Sequence, residues 1–421
     1  MAGSTDGRGA GRGEQRELLF AAIVACCSRK GFEATSVADL LEVSGVSRRT
    51  FYSQFEDKLD CFRAAEEELI GTAVETVRRQ LNGGGSAEQR ARGALAAFVE
   101  LIVSAPAAAR ICFVEAYAAG EPGVAPVRDA VELVARLGRE TLEQIPGREG
   151  MPAELSRAIV ASLYQVVRRR LQSHRESELS ELVPALWDWA MSYRTPPLPL
   201  RRGGRRGKRA PAGTMPPFAA HSVEQRAIRA LAAVVAEKGY PATTIADIAA
   251  AAAVSQTTFY AHFADKADAL AAALDSSGAQ MLAATLPSAR RAPDWPTAVR
   301  IAFEATCGFL AAEPAFARLR MVDVYSAGPQ AIAIRDQAGT ELLATLLGPA
   351  FSDRPAIPEV VLEAITGAVY GIFYERIRGG ATADLPAAAP LLTYIALAPF
   401  LGAERACEVA NSGPAPRRRA R

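Results

Sequence analysis

The sequence predicts an all-α protein that contains two copies of one unit. Residues 30–62 match residues 238–270 at a shift of 208 without a gap, and 15 of these 33 positions are identical. Apolar residues recur at helical spacing, for example at Leu19, Ile23 and Cys26. Runs of alternating Val, Ile and Thr closed by hairpin turns, which would indicate strands, are missing from the sequence.

The duplication extends beyond this block. Further matches join three pairs of segments at shifts of 208, 206 and 206: 105–120 with 313–328, 158–167 with 364–373, and 184–190 with 390–396. Because almost the whole unit is repeated, the chain is predicted to be a tandem duplication of complete units rather than a solenoid of short repeats. The copies are called the first and the second repeat below.

Composition and charge exclude several classes of protein. Half of the 421 residues are hydrophobic and 22% are charged, which is typical of a globular protein. No run of about 20 apolar residues is present, so no membrane span is predicted. The first 13 residues lack the apolar core of a signal peptide, and we therefore expect a soluble, cytoplasmic protein.

The sequence predicts no enzyme, no cofactor and no metal site. Its cysteines show no C-x-x-C spacing and no neighbouring His, so reduced thiols within helices are expected. The sequence contains no G-x-S-x-G, no P-loop, no G-x-G-x-x-G after a strand and no H-E-x-x-H.

Two short helices joined by a tight turn are predicted in the first repeat. Ser36 and Asp39 form an S-x-x-D start for the first of them, and Gly45 lies in the turn. Ser47 is expected to cap the second helix. Thr244 and Asp247 repeat the start signal in the second repeat, as Ser255 repeats the cap.

The second short helix has one apolar and one polar face. Phe51 and Phe55 are predicted to face inward at i, i+4. This arrangement describes a helix-turn-helix, whose second helix enters the DNA major groove by its N-terminal residues. Arg suits guanine, Gln suits adenine, and Thr suits the thymine methyl group. The outward polar residues of the first repeat are Arg48, Arg49, Thr50, Tyr52 and Gln54.

Both copies resemble the DNA-binding domain of TetR-type transcriptional regulators. The resemblance rests on T-[TS]-[VI]-A-D-[LI] followed by V-S-x-x-T-F-Y-x-x-F-x-D-K, and it covers about 50 residues per copy. It implies that the remaining part of each copy is helical, binds a small ligand, and dimerises through its last two long helices. Those helices are expected at about 154–173 with 179–193, and at about 358–377 with 386–401.

The resemblance also implies residue roles. Base contacts fall to Arg48, Arg49, Thr50, Gln256, Thr257 and Thr258. Phosphate contacts fall to Ser36, Tyr52, Lys58, Thr244, Tyr260 and Lys266, while Gln54 and His262 hold a position that often touches the DNA backbone. Ser47 and Ser255 are the caps at this surface. The aromatic residues that are candidates for a ligand pocket, or simply for the core, are Phe113, Tyr117, Tyr164, Phe316, Tyr325 and Tyr370.

Two features depart from the family pattern. The turn glycine of the first repeat, Gly45, is replaced by Ala253 in the second. Members of the family also carry one such unit per chain and dimerise, whereas this chain carries two.

The motifs and the composition together predict seven segments. The stretch between the repeats is rich in Pro, Gly and Arg, so it is expected to be a linker that either only spaces the repeats or adds phosphate contacts. The segments are a disordered tail (1–13), a helix-turn-helix domain (14–62), a helical regulatory domain (63–194), the linker (195–221), a second helix-turn-helix domain (222–270), a second regulatory domain (271–404) and a basic disordered tail (405–421).

The leading hypothesis is a DNA-binding regulator, expected to be a ligand-responsive repressor, in which one chain forms a pseudo-dimer. Its partners would be double-stranded DNA and a small apolar or amphipathic effector. Two helix-turn-helix domains that contact adjacent major grooves must lie about one helical turn apart. Unequal half-sites are expected, G-biased under the first repeat and A/T-biased under the second. The alternatives are a homodimer with four helix-turn-helix domains and a helical scaffold that has lost DNA binding.

Overall fold

The described residues of the computed structural model are 6–201, 222–353 and 357–412, and they form helices and turns with no strand. The predicted all-α fold is therefore confirmed. The chain divides into two compact units: unit 1 comprises Met1–Leu142 and Tyr164–Val183, and unit 2 comprises Glu143–Leu163 and Pro184–Arg421. The division runs through two helices of the first repeat and does not coincide with the segment 195–221.

Unit 1 contains the first helix-turn-helix and a layer of longer helices behind it. Capping side chains at Ser36, Ser47, Asp57 and Ser86 fix where four of its helices begin. Its helices are α1 (Asp6–Ala34), α2 (Val37–Ser44), α3 (Arg48–Tyr52), α4 (Lys58–Leu81), α5 (Ala87–Ser104), α6 (Pro106–Arg110), α7 (Ala116–Ala118), α8 (Glu121–Leu142) and parts of α9 (Ala153–Gln172) and α10 (Leu179–Ser192), with a π-helical turn at Ile111–Glu115 and a 3-10 turn at Glu176–Glu178.

Unit 2 repeats this order from α11 onward. Capping residues Ser222, Thr244, Ser255 and Asp265 begin its first helices. The helices are α11 (Val223–Lys238), α12 (Ile245–Ala251), α13 (Gln256–Tyr260), α14 (Lys266–Ala289), α15 (Trp295–Ala312), α16 (Pro314–Met321), α17 (Pro329–Asp353), α18 (Val360–Arg378) and α19 (Ala389–Asn411), with 3-10 turns at Asp323–Ala327 and Thr382–Ala388.

Within unit 2, residues 143–163 of the first repeat pack against α18. The Ser162 hydroxyl donates to the Ala364 carbonyl at 2.6 Å, inside the protein. Gly371 lies so close to Ala161 that an added Cβ at Gly371 would stand 2.9 Å from the Ala161 Cβ. Small residues therefore allow the two helix backbones to approach closely.

Residues 184–201 of the first repeat pack against α19 in the same unit. The Tyr193 hydroxyl donates to the Ile395 carbonyl at 2.8 Å, and the Tyr394 hydroxyl donates to the Arg194 carbonyl at 2.6 Å. Both tyrosines are fully buried. Each repeat thus supplies one buried hydroxyl that is paired with a backbone carbonyl of the other.

The ends of the predicted segments differ from the structure. Helix α1 begins at Asp6, so part of the expected tail 1–13 is helical. Helical structure continues to Asn411, past the expected end at 404, after a kink at Gly402 (φ 77°), and this last part buries Cys407 and Val409. The rest of the expected basic tail, 413–421, lies outside the described residues.

The first residues of the expected linker 195–221 are held in unit 2. The Leu198 carbonyl accepts a hydrogen bond from the Cys407 thiol at 3.3 Å, and the Arg201 amide donates to the Asn411 side chain at 2.7 Å. The Pro-rich start of this segment therefore packs along the end of α19. Residues 202–221, including most of its arginines, lie outside the described residues.

One helical segment of the described chain, Thr382–Asn411, has the length and mean hydropathy of a membrane span. Two thirds of its most apolar window, 67%, is buried inside the protein. A second span would arise only if Ala87–Ser104 and Pro106–Ala118 were one helix, yet they are bent by 101° at their junction. Buried core helices show the same composition.

Candidate nucleic-acid interface

The first helix-turn-helix is fixed by side-chain caps and a left-handed turn. The Ser36 hydroxyl and amide both donate to Asp39, at 2.6 and 2.7 Å, in a complete capping box. Gly45 ends α2 with φ 68°, and its amide donates to the Leu41 carbonyl at 3.0 Å. The Ser47 hydroxyl then accepts the Thr50 amide at 3.1 Å and begins α3.

The outer face of α3 presents the predicted base-contacting residues to solvent. Arg48, Arg49 and Tyr52 are exposed, and Tyr52 remains 51% exposed although it is a large aromatic residue. Phe51 and Phe55 are buried on the opposite side, at 0% and 3% exposure. This polarity leaves both guanidinium groups available to an external acceptor.

The second helix-turn-helix repeats this geometry with other side chains. Thr244 and Asp247 form the capping box, and the Ser255 hydroxyl accepts the Thr258 amide at 3.0 Å. Four polar side chains are exposed on this face: Gln256, Thr257, Tyr260 and His262. Phe259 and Phe263 are buried beneath them.

Thr50 and Thr258 are less available than their neighbours. Each is partly buried, and each hydroxyl lies within hydrogen-bond distance of the capping serine, at 2.9 Å for Ser47 and 2.8 Å for Ser255. Their hydroxyls thus take part in the caps, and the methyl group is the part of each side chain that is free to contact a thymine.

The two lysines expected at phosphates instead lie against backbone carbonyls. Lys58 Nζ donates to the Phe32 carbonyl at 2.7 Å, and Lys266 Nζ donates to the Tyr240 and Thr243 carbonyls at 2.9 Å each. Each ammonium group also lies over the ring of residue 32 or 240, at 4.2 and 4.3 Å. Burial lowers the pKa of both lysines. This placement differs from the expected phosphate contact. Lys58 joins α4 to the end of α1, and Lys266 joins α14 to the residues that follow α11.

Gln54 and His262 occupy equivalent positions in different surroundings. Gln54 is partly buried, and its amide nitrogen has no hydrogen-bond partner among the described residues. His262 is exposed. This donor is buried next to α3, so it can reach an external phosphate oxygen only if the Gln54 side chain moves.

Ion pairs stabilise both capping boxes. Lys30 lies 2.7 Å from Asp39, and Lys238 lies 2.6 Å from Asp247. The lysine and the capping hydroxyl hold the pKa of Asp39 well below its usual range and lower that of Asp247 to about 2. Both carboxylates therefore remain charged at neutral pH, and each cap stays intact.

A carboxylate that the sequence did not predict joins the first helix-turn-helix to the regulatory helices of unit 1. The Phe32 amide donates to Glu115 Oε2 at 2.8 Å in the buried interior. Glu115 ends the π-helical turn that also carries Cys112 and Phe113. Phe32 in turn supplies the carbonyl that Lys58 binds at the start of α4. Two hydrogen bonds therefore connect the π-helical turn to α4 through Phe32.

Three predicted pocket residues come together in unit 1. The rings of Phe113 and Tyr164 stack with centroids 4.5 Å apart. The Tyr164 hydroxyl donates to the Cys112 carbonyl at 3.0 Å, and Tyr117 lies against the Arg168 guanidinium at 4.8 Å. Phe113 and Tyr117 are buried, so this group belongs to the core in the structure.

In unit 2 two of the three predicted aromatic residues surround an arginine. Tyr370 and Tyr325 lie 4.3 and 5.0 Å from the Arg335 guanidinium, measured to the ring centres. Phe316 is buried in α16. The sequence indicated the tyrosines but not the arginine between them, since Arg335 follows no motif.

No group of three or more His, Cys, Asp or Glu residues suited to a metal ion occurs within residues 6–201, 222–353 and 357–412. The six cysteines are buried and not in disulfides. Burial raises the pKa of Cys27 and of Cys61 to about 12, so both thiols stay protonated at neutral pH.

A family model for the DNA-binding domain, described as "Bacterial regulatory proteins, tetR family", matches the chain twice, over residues 19–65 and 227–273. Both matches contain the helix-turn-helix described above. The chain is a TetR-type transcriptional regulator with two such units. The resemblance noted from the sequence is thereby confirmed.

Among curated proteins this TetR-type chain is similar to the HTH-type transcriptional activator FasR of Mycolicibacterium smegmatis. The two are 25% identical over 155 residues, which cover 37% of this chain and 69% of that relative. The matched length corresponds to less than one repeat.

Among solved structures the chain is similar to two regulators named FadR. One, a fatty acid degradation regulator from Bacillus halodurans, is 16% identical with a TM-score of 0.38, covering 42% of this chain and 97% of its own. The other, from Bacillus subtilis and solved with stearoyl-CoA, is 15% identical with a TM-score of 0.38, covering 41% of this chain and 96% of its own.

Proposed function

We propose that this TetR-type chain is a ligand-responsive regulator, a repressor where its operator overlaps a promoter, and that its two different recognition helices bind an asymmetric operator. The observation that carries the proposal is the contrast between Arg48 and Arg49 on α3 and Gln256 and Thr257 on α13. All four side chains are exposed on the same frame of caps and buried phenylalanines.

The chemistry of these side chains predicts the bases. Arg binds guanine O6 and N7 with two hydrogen bonds, whereas Gln binds adenine and the Thr methyl contacts thymine. Identical chains in a homodimer must bind the same half-site twice, but a tandem chain is free of that symmetry. We therefore expect a G-rich half-site under α3 and an A/T-rich half-site under α13.

Phosphate contacts are proposed for Tyr52 and Tyr260 and for the capped helix N-termini at Ser36 and Thr244. Exposed hydroxyls and helix N-termini are ordinary phosphate partners. Lys58 and Lys266 are held by their carbonyl partners, and we propose no phosphate contact for them.

The same proposal makes one chain a pseudo-dimer in the cytoplasm. Buried contacts in unit 2 support it, because residues of the first repeat pack on α18 and α19 where the dimerisation helices were expected. Arg376 also binds both Glu154 oxygens at 3.0 Å across the repeats. These contacts resemble a dimer interface made within one chain.

Selection of bound DNA from a random pool tests the proposal. The full chain should select two unequal half-sites about one helical turn apart, one G-rich and one A/T-rich. A palindromic motif bound by a single chain would contradict it. In the matched variant Arg48→Gln/Arg49→Thr, the G-rich half-site should change to the A/T-rich one and the motif should become symmetric.

Mass measurement of the free and DNA-bound chain separates the pseudo-dimer from a homodimer with four helix-turn-helix domains. A single 44.6 kDa chain on one operator is expected. Two chains per operator would favour the homodimer. A scaffold without DNA binding would select no motif at all, and a promoter reporter then establishes repression or activation.

A further inference from the structure

Two arginines lie fully inside the regulatory core of unit 2. Arg320 on α16 is 0% exposed and Arg335 on α17 is 1% exposed. Elements α14, α16, α17, α18 and the 3-10 turn Asp323–Ala327 contribute their neighbours. Guanidinium groups are almost never fully buried unless they are paired, so the partners of these two decide what the site does.

Arg320 is only partly satisfied. Its Nη1 donates to the Leu274 carbonyl at 2.6 Å and to the Ser277 hydroxyl at 3.0 Å, and its Nη2 donates to the Arg335 carbonyl at 3.3 Å. Its buried Nε has no hydrogen-bond partner among the described residues. Every partner is neutral, so none of them balances the charge.

Arg335 is held between aromatic rings, and one of its nitrogen donors, Nη1, has no hydrogen-bond partner among the described residues. Its Nε lies 2.6 Å from Asp336, and its Nη2 lies 3.4 Å from the Tyr325 hydroxyl. Tyr370 covers its other side. The Nη1 atom is buried. An edge of the guanidinium group is therefore unsatisfied.

The site carries a surplus of positive charge. Asp336 pairs with Arg335 and is also the acidic residue with the larger influence on Arg320, while the next one, Asp275, is exposed to solvent. One carboxylate therefore serves two guanidinium groups. Burial lowers the pKa of Arg320 to about 10, so it stays charged at neutral pH. A buried guanidinium without a counter-charge is costly, and an anion would relieve that cost.

The first repeat lacks this charge at the equivalent positions. Cys112 occupies the position of Arg320, and Val127 occupies that of Arg335 at the same shift of 208. The tyrosines are kept, as Tyr117 and Tyr164. Arg168 contacts Tyr117 in unit 1, but it comes from α9 and not from either of these positions. The shared fold does not require the two buried arginines.

We propose that the core of unit 2 binds a small amphipathic carboxylate, whose head group is held by Arg320 and Arg335 beside Tyr325 and Tyr370. The inference deepens the ligand response in the proposed function and rests on it. Arg matches a carboxylate with paired hydrogen bonds. Buried apolar residues of the same unit, Phe316, Leu319 and Met281, suit the apolar body of the ligand.

The site is placed to influence the contacts between repeats. Arg335 lies on α17, and Tyr370 lies on α18, the helix that packs against Ala161 and Ser162. The Tyr370 hydroxyl donates to the Arg335 carbonyl at 3.4 Å and lies where a Cβ on Gly339 would be, at 1.9 Å. Inserting a carboxylate here must therefore move α17 relative to α18.

Titration calorimetry on the full chain, with decanoate and its neutral analogue decan-1-ol as probes, tests the site. Decanoate should bind saturably and roughly 10- to 100-fold more tightly than decan-1-ol, the effect of hydrogen bonds to a charged group. In Arg335→Gln this preference should disappear, and in Arg335→Lys it should persist in part. Glu66→Leu, in unit 1, should bind decanoate like the unchanged chain.

Equal affinity for the two probes, or no decanoate binding in the unchanged chain, would overturn the proposal without any variant. So would an unchanged preference in Arg335→Gln. If that variant does not fold, as judged by circular dichroism, the preference for decanoate over decan-1-ol is measured in the double variant Tyr370→Phe/Arg320→Gln instead. DNA selection in the absence of probe is measured in parallel, so a failed anion site with intact DNA binding is distinguished from failure of the proposed function.

Discussion

Beneath the second helix of each helix-turn-helix the two repeats keep the same buried phenylalanines and differ on the exposed face, whereas in the regulatory domains they differ in which buried positions carry a charged residue. Phe51 and Phe259 are equally buried, yet the exposed residues beside them are Arg in one copy and Gln or Thr in the other. In the regulatory core Glu66 of the first repeat aligns with Leu274 of the second, and Cys112 aligns with Arg320.

A different constraint acts on each region. A helix-turn-helix must keep the residues that hold its second helix, and Phe51 and Phe55 recur as Phe259 and Phe263, whereas the exposed side chains beside them differ. A buried charge in a regulatory core weakens the fold, and the presence of Arg320 and Arg335 at positions that hold Cys112 and Val127 in the first repeat indicates a role other than framework. At these aligned positions unit 1 has the buried Glu66 where unit 2 has Leu274, and unit 2 has the buried Arg320 where unit 1 has Cys112.

The largest effect is expected for Glu66. It is 0% exposed, both carboxylate oxygens lack hydrogen-bond partners in the described residues, and burial, with a smaller effect of Glu67, raises its pKa to about 8 despite Arg63. The thiol of Cys112 is the titratable group that faces it from the π-helical turn. The pKa rises on folding, so the folded state binds more protons than the unfolded state.

Stability of unit 1 should therefore fall as pH rises from about 4.5 to about 8, by on the order of a few kcal/mol. Glu66→Leu, which installs the residue of the second repeat, should remove this dependence. Hydrogen exchange of α4 at several pH values, corrected for the intrinsic exchange rate, measures it. Parallel pH dependence in both proteins would show that another group is responsible.

The second prediction concerns the paired lysines. Lys58→Met and Lys266→Met keep the aliphatic stem and remove hydrogen bonds from a charged donor, and each should destabilise its own DNA-binding domain by about 1.5 to 3 kcal/mol. The two losses should be similar, because the two lysines have equivalent partners. Local hydrogen exchange at residues 32–35 and 240–243 reports them.

The salt dependence of DNA binding decides between the structural role and a phosphate contact. A lost phosphate contact lowers the slope of log K against log salt by about 0.9. We expect an unchanged slope for both Met variants. A decrease near that value in either variant would show that the lysine contacts a DNA phosphate.

The local part of this architecture could be predicted from the sequence, since it depends on near neighbours. Ser36 with Asp39 and Ser47 with Thr50 are three residues apart, and their hydrogen bonds follow from helix geometry. Glu115 accepts the Phe32 amide across 83 positions, and Arg335 meets Tyr370 across 35. Such contacts depend on how helices pack, which no spacing rule specifies, and the carbonyls bound by Lys58 were missed for the same reason.

The smallest effect is expected at the turn between α2 and α3 and its counterpart. Gly45 has φ 68° and Ala253 has φ 54°, so an alanine occupies a left-handed conformation that costs it roughly 1 to 2 kcal/mol. Its turn is nevertheless closed, because the Val254 amide donates to the Ala249 carbonyl at 3.0 Å. An added Cβ at Gly45 would meet nothing within 4 Å, so backbone strain alone decides the result there.

Gly45→Ala should therefore destabilise the first helix-turn-helix by about 1 kcal/mol, and Ala253→Gly should stabilise the second by about as much or less. Glycine's greater freedom in the unfolded chain, worth about 0.4 to 1 kcal/mol, offsets part of each change. Hydrogen exchange of α2 and α12 resolves the domains separately. Opposite signs are expected because one strained conformation is shared and only the residue differs. Equal signs would mean that the turn in the second repeat relaxes away from left-handed geometry, which would also move Ser255 and the start of α13.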